Sequence, residues 1–158
     1  MNSKPLILFI GNYLFRDDKV SLLVGEKLKP VLENEGFEVE IMDKSGLPLI
    51  DYIEGRELAI IVDSVVTSKH PVGEVVEVDI DEVGKQSVWS PHYMNLSETL
   101  KVMKELGIPM PREIQIIGIE VSDVYTISEE VSEQLKEKLE EITRKVYDLV
   151  KKKSFRQA

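Results

Sequence analysis

Apolar residues fall into near-continuous blocks at 5–11 (PLILFIG), 58–63 (LAIIVD) and 114–121 (IQIIGIEV). Blocks this short and this apolar suit strands buried on both faces, as in the middle of a parallel sheet. Two further segments read as strands of another kind. Residues 37–43 (FEVEIMD) alternate, Phe37, Val39 and Ile41 against Glu38 and Glu40, and residues 74–79 (EVVEVD) are polar enough for a sheet edge. Between the strands the apolar period lengthens to three or four. Val20, Leu23, Val24, Leu28, Val31 and Leu32 mark one face of a helix that should open near Asp17 or Asp18 and close before Gly36. A short helix is expected over 47–54, opened by Pro48, and another over 96–106, stopped at Gly107. A last helix should run over residues 129–152, carrying Val131, Leu135, Leu139, Ile142, Val146, Leu149 and Val150, with Ser128 or Thr126 as its cap.

Strands alternating with helices predict a three-layer α/β/α fold. The expected sheet has about five strands, mostly parallel and twisted, with one antiparallel edge strand and helices on both faces. The 158 residues suffice for one domain with its own core, and no repeat or linker divides them. Residues 151–158, beginning Lys151, Lys152 and Lys153, should form a short, flexible basic tail.

Charge and motifs remove several functions. A net charge of −9 repels nucleic-acid phosphate on average, and no basic patch interleaved with aromatics offsets it. No apolar run approaches the roughly 20 residues of a bilayer span, and no leader pattern opens the chain, so a cytoplasmic protein without a membrane partner is expected. The absence of cysteine excludes disulfides, thiolate zinc sites and cysteine nucleophiles. The HExxH, GxSxG, P-loop and GxGxxG patterns are absent.

The chemistry should then sit beyond the carboxyl ends of the strands, where open α/β sheets bind ligands. The sequence places Gly11, Asn12, Arg16, Asp17 and Asp18 there after the first strand, and Asp43 after the second. Asp63 and Ser64 follow the third, Trp89, Ser90, Pro91 and His92 the fourth, and Ser122 and Asp123 the last. Asp63 follows five apolar residues directly, so its backbone is anchored in the most buried strand. Of Asp17 and Asp18, a helix start needs only one, and spacing alone leaves open which is free. His70, in a TSKHP loop, reads as an ordinary loop residue. Two carboxylates and an imidazole make an O,O,N donor set, which suits nickel or zinc.

At these residues the chain resembles the hydrogenase maturation endopeptidases, over nearly its whole length. A strand followed by Gly11-Asn12, four residues and the acid pair Asp17-Asp18 is similar to that family's opening motif. The second strand ends in Asp43 and a glycine-bearing turn at Gly46, the third in Ile61-Val62-Asp63. His92 opens the helix after the fourth strand, and Gly118-Ile119-Glu120 matches the late strand. The resemblance implies an endopeptidase that removes the C-terminal extension of a nickel–iron hydrogenase large-subunit precursor after nickel insertion. It implies Asp18, Asp63 and His92 as catalytic, metal-contacting residues, and so selects Asp18 over Asp17. The nickel would be the substrate's own and would act as a recognition handle, with zinc or cadmium able to substitute. The expected partner is the precursor, and the expected state is a monomer. The chain departs from the family at Arg16, Lys19 and Ser21, where glycine or another small residue is usual. These departures motivate an alternative, a nickel-binding checkpoint or chaperone that does not cut. A second alternative is an unrelated small-molecule enzyme on the same fold. Tyr13, Phe15, Trp89 and Tyr93 are candidates to grip a peptide tail.

Overall fold

The computed structural model describes residues 4–43, 46–82, 90 and 92–155. The apolar blocks become the centre of one five-stranded sheet. β1 (Leu6–Ile10) and β3 (Leu58–Val65) are buried at every residue and pair in parallel. β2 (Glu38–Met42) lies parallel on the outer side of β1, and β5 (Glu113–Glu120) parallel on the far side of β3. The polar β4 (Val75–Val78) closes the edge, antiparallel to β5, giving the order β2-β1-β3-β5-β4.

Side chains alternate across a strand, so each strand serves two layers. Ile7, Phe9, Ile60, Val62, Ile117 and Ile119 pack under α1 (Val20–Asn34) and α4 (Glu133–Phe155), meeting Val24, Leu28, Leu135, Ile142 and Val146. Leu6, Leu8, Ile10, Ala59, Ile61 and Ile116 take the opposite face, under α2 (Ile50–Ile53) and α3 (Tyr93–Leu106), meeting Leu49, Ile53, Leu96 and Met103. A 3-10 turn over Leu47–Leu49, carrying Pro48, leads into α2. Gly25 lets α1 lie close on the sheet, since a Cβ there would fall 2.7 Å from the Phe9 ring. Among the described residues no helix is long and apolar enough to cross a membrane.

Several element ends differ from expectation, each for a tertiary reason. α1 starts at Val20, and its N-cap, Lys19, makes no side-chain capping bond. Neither Asp17 nor Asp18 caps it, because both carboxylates are engaged elsewhere. α4 starts at Glu133, not 129. Thr126 and Ser128 do not cap it, since they pair with the loop after β1: Arg16 N–H donates to Thr126 O at 2.7 Å and Ser128 N–H to Leu14 O at 3.0 Å. At its other end α4 runs through Phe155, so residues 151–155 of the expected tail are helix, and Lys153 is buried with its ammonium on Gln115. α3 opens at Tyr93, three residues early. β3 continues two residues past Asp63, which lies opposite Gly118 on β5.

Candidate metal centre

From β1 the chain crosses to β2 on one side and then to β3 on the other. The loops leaving β1 and β3 therefore diverge, and a crevice opens at the carboxyl end of the sheet between them. Asp18 comes from the loop after β1, Asp63 from the last part of β3, and His92 from the position just before α3. One ligand atom from each lies within 4.8 Å of the other two. Asp18 and Asp63 are 1% exposed and His92 is 9% exposed.

The sheet's alternation builds this arrangement. Ile61 and Val65 face the α3 side, so Asp63 between them faces it too, toward His92. Ser64 has the opposite parity, and its hydroxyl donates to Asp18 Oδ1 at 2.7 Å. The other Asp18 oxygen lies 3.0 Å from His92 Nε2. Ser64 N–H donates to Asp63 Oδ1 at 2.8 Å, and the Ser90 hydroxyl donates to Asp63 Oδ2. Ser90 Oγ also accepts the His92 N–H at 3.2 Å, so one serine fixes both the acid and the histidine backbone. Among the described residues each carboxylate oxygen has one such neighbour, which leaves it a lone pair toward them. Gly11 makes room for the loop, since a Cβ there would fall 2.4 Å from the Asp18 carbonyl oxygen.

The cluster suits a cation. Burial raises Asp63 to about 7, the charge on Asp18 adds to this, and His92, Ser90 and Ser64 oppose it. Burial pulls His92 down, but the Asp18 hydrogen bond and the charges of Asp63 and Asp18 outweigh it and leave it raised. Among the described residues no lysine or arginine forms an ion pair with either carboxylate, and the imidazole is the positive partner of Asp18. An O,O,N set in which protons stand where a cation would be preferred fits a divalent transition metal.

Asp17, next door, does something else. It is fully buried and its carboxylate accepts Ser132 N–H at 2.9 Å, Ser132 Oγ–H at 3.3 Å and Asp123 N–H at 3.2 Å. Ser132 is the residue before α4, so Asp17 serves that helix's positive end and ties it to the loop after β1. Asp17→Asn is expected to lower stability by about 1–3 kcal/mol, read from the urea midpoint, with the donor set left in place. A loss of metal binding as deep as that of Asp18→Asn would make Asp17 a ligand.

The three departures also have structural partners. Lys19 is buried, its ammonium donates to Ser128 O, and burial lowers its pKa despite the nearby charges of Glu129 and Asp17. Ser21 donates to Val62 O at 2.7 Å, pinning α1 to β3 beside Asp63. Arg16 lies 3.7 Å from Asp123. Of the other rim candidates, Asp43 is exposed, Asn12 closes a turn on Leu14 N–H, and Asp123 holds a turn at Tyr125 and Thr126. His70 is a loop residue 3.6 Å from Glu74. Trp89, Pro91 and the Tyr93 side chain lie outside the described residues. Sequence reasoning missed the work of Glu120, buried at the end of β5, whose carboxylate accepts from Thr67 and Ser68 and holds the loop after β3. The signal was a charged residue closing an otherwise apolar strand.

Fold and cluster together define a doubly wound α/β protein with a three-donor site at its topological switch point. The family described as HycI, hydrogenase maturation protease, matches residues 22–148, and the chain belongs to that family. The protein is thus a hydrolase, a hydrogenase maturation endopeptidase. The matched segment includes Asp63 and His92 and begins just after Asp18. The [NiFe] hydrogenase maturation protease HybD from Thermococcus kodakarensis is 27% identical, with 92% of this chain and 98% of that one covered at a TM-score of 0.69. The hydrogenase maturating endopeptidase HybD from E. coli shares the fold at 21% identity, with 95% and 93% covered and a TM-score of 0.71. HycI from Thermococcus kodakarensis KOD1 shares it at 22% identity, with 94% and 93% covered and a TM-score of 0.63. No curated protein sequence matches the chain.

Proposed function

We propose that this endopeptidase releases the C-terminal extension of a nickel–iron hydrogenase large-subunit precursor once nickel has been inserted, and that it recognises the precursor through that nickel. The observation that carries the reading is the convergence of Asp18, Asp63 and His92 within 4.8 Å in a buried cluster at the carboxyl end of the sheet. Three donors leave coordination positions open for ligands that the precursor brings. Ser64 and Ser90 hold the two carboxylates in place before the substrate arrives. Zinc or cadmium would suit the same donors.

A checkpoint that binds without cutting was motivated by Arg16, Lys19 and Ser21. They are engaged with Asp123, Ser128 and Val62 respectively, and among the described residues none is hydrogen-bonded or ion-paired to a donor atom of the cluster. The cutting enzyme is therefore the reading we adopt, working as a cytoplasmic monomer. Its net charge of −9 favours a basic partner surface. The test is to incubate the protein with nickel-loaded and nickel-free precursor and weigh both products by intact mass spectrometry. Loss of a C-terminal peptide from the loaded form alone is expected. Equal cutting of both forms would remove nickel as the handle.

A further inference from the structure

Eight large apolar side chains stand exposed among the described residues, and they are not spread evenly. Val31 lies on α1, Leu106 is the last residue of α3 and Met110 follows it. The other five, Tyr13, Leu14, Leu47, Tyr125 and Ile127, all follow the carboxyl ends of β1, β2 and β5, on the rim that holds the candidate metal centre. Leu14 is 61% exposed, Tyr125 70% and Ile127 74%. An apolar concentration of this kind on one rim marks a contact surface.

Four of the five belong to a single small unit. Phe15 bridges Ile127 antiparallel, and the bonds from Arg16 to Thr126 and from Ser128 to Leu14 make a two-strand ribbon of residues 14–16 and 126–128, with Tyr13 and Tyr125 beside it. The ribbon is bolted down beneath by the Lys19 ammonium on Ser128 O and by the Asp17 carboxylate on Ser132. The Tyr13 hydroxyl is held by Glu26. The ribbon therefore presents apolar side chains on a fixed base, and its first strand runs directly into Asp18. The charges beside it are mostly acidic. Glu129 and Glu130 are exposed and Lys136 lies 3.5 Å from Glu130, while Arg16 is drawn to Asp123 and Lys19 is buried.

We infer that this ribbon is the docking surface for the polypeptide that carries nickel into the site. Its occupant is the segment of the large-subunit precursor flanking the nickel, with apolar side chains against Leu14, Tyr125 and Ile127 and lysine or arginine opposite Glu129 and Glu130. This rests on the function proposed above and adds where the substrate protein is gripped. The donor atoms are almost completely buried, so the metal must enter on a projection whose surroundings rest on the rim. Contacts at the ribbon are made equally before and during bond cleavage, so they set KM and leave kcat in place.

The test compares wild type with Leu14→Ser/Ile127→Ser on nickel-loaded precursor, with Tyr125→Ser as a second variant in case the pair perturbs folding. KM is expected to rise at least about 10-fold with kcat retained. Affinity for nickel ion alone, by calorimetry, should be unchanged. Unchanged KM in folded variants of an active enzyme overturns the surface and leaves the proposed function standing. A wild-type dimer that the variants dissolve also overturns it, because the occupant would then be a second copy of this chain. If wild type cuts no precursor, the proposed function fails, and precursor binding by interferometry that the variants leave equal to wild type overturns the surface as well.

Discussion

Asp63→Asn is expected to abolish cleavage of nickel-loaded precursor, by on the order of 10³-fold, while making the metal-free protein more stable at pH 8. The two effects share one cause. Asparagine has nearly the same shape, its oxygen can accept the Ser64 N–H, and its amide can donate to Ser90 Oγ, so packing and hydrogen bonding survive. Only the anionic donor is lost. In the wild type that anion is costly, because burial first, and then the Asp18 charge, raise the carboxyl to about 7. A carboxyl raised above its unfolded value contributes stability fully at pH below about 4 and loses it as pH rises through 7. At pH 8 the metal-free wild type therefore holds a buried charge that the variant lacks, a difference of a few kcal/mol by order of magnitude. Thermal melts at pH 8 and single-turnover cleavage assays read the two effects separately. A variant that is both less stable at pH 8 and still active would show that Asp63 is a structural residue.

The fold was legible because its strongest signals are local. The blocks containing Leu6 to Ile10 and Leu58 to Val62 are too apolar for anything but doubly buried strands, and the polarity of Glu74 and Glu77 marked the edge. Element ends were less legible, since they are set by contacts across about a hundred residues. Nothing near Glu129 in sequence says that Ser128 will pair with Leu14, or that the carboxylate at the start of α4 will be Asp17. The donor set followed from placing polar residues at strand ends, and the family resemblance chose between the adjacent acids. In the structure the two acids face different partners: the Asp17 carboxylate accepts from Asp123 and Ser132, while Asp18 turns to Ser64 and His92. The departures at Lys19 and Ser21 read from sequence as disturbances of the site. Their partners, Ser128 and Val62, are invisible to any local pattern, and they make both residues part of the scaffold.

Nickel ion added to the metal-free protein should raise its melting temperature at pH 8 and far less at pH 5. The argument is competition for the same atoms. Asp63 and His92 both have raised proton affinities in the fold, so at pH 5 the cluster is protonated and a cation must displace those protons. A histidine raised in this way contributes stability below its unfolded value and loses it as pH rises through its folded one. Both groups therefore make the metal-free protein less stable toward pH 8, and metal reverses that loss. At about 100 times the dissociation constant the gain is about 2.7 kcal/mol, or roughly 5–10 °C for a chain of this size. Three protein donors bind a free ion weakly, and the function proposed above assigns the remaining positions to ligands on the precursor, so saturation should require high micromolar metal or more. Asp18→Asn should remove the shift and Asp17→Asn should keep it, because only the first supplies a donor atom to the cluster. A shift that survives Asp18→Asn, or that is larger at pH 5 than at pH 8, would place the ion elsewhere on the protein. In that case the proton held by Asp63 would serve acid–base chemistry directly, with the imidazole as its partner.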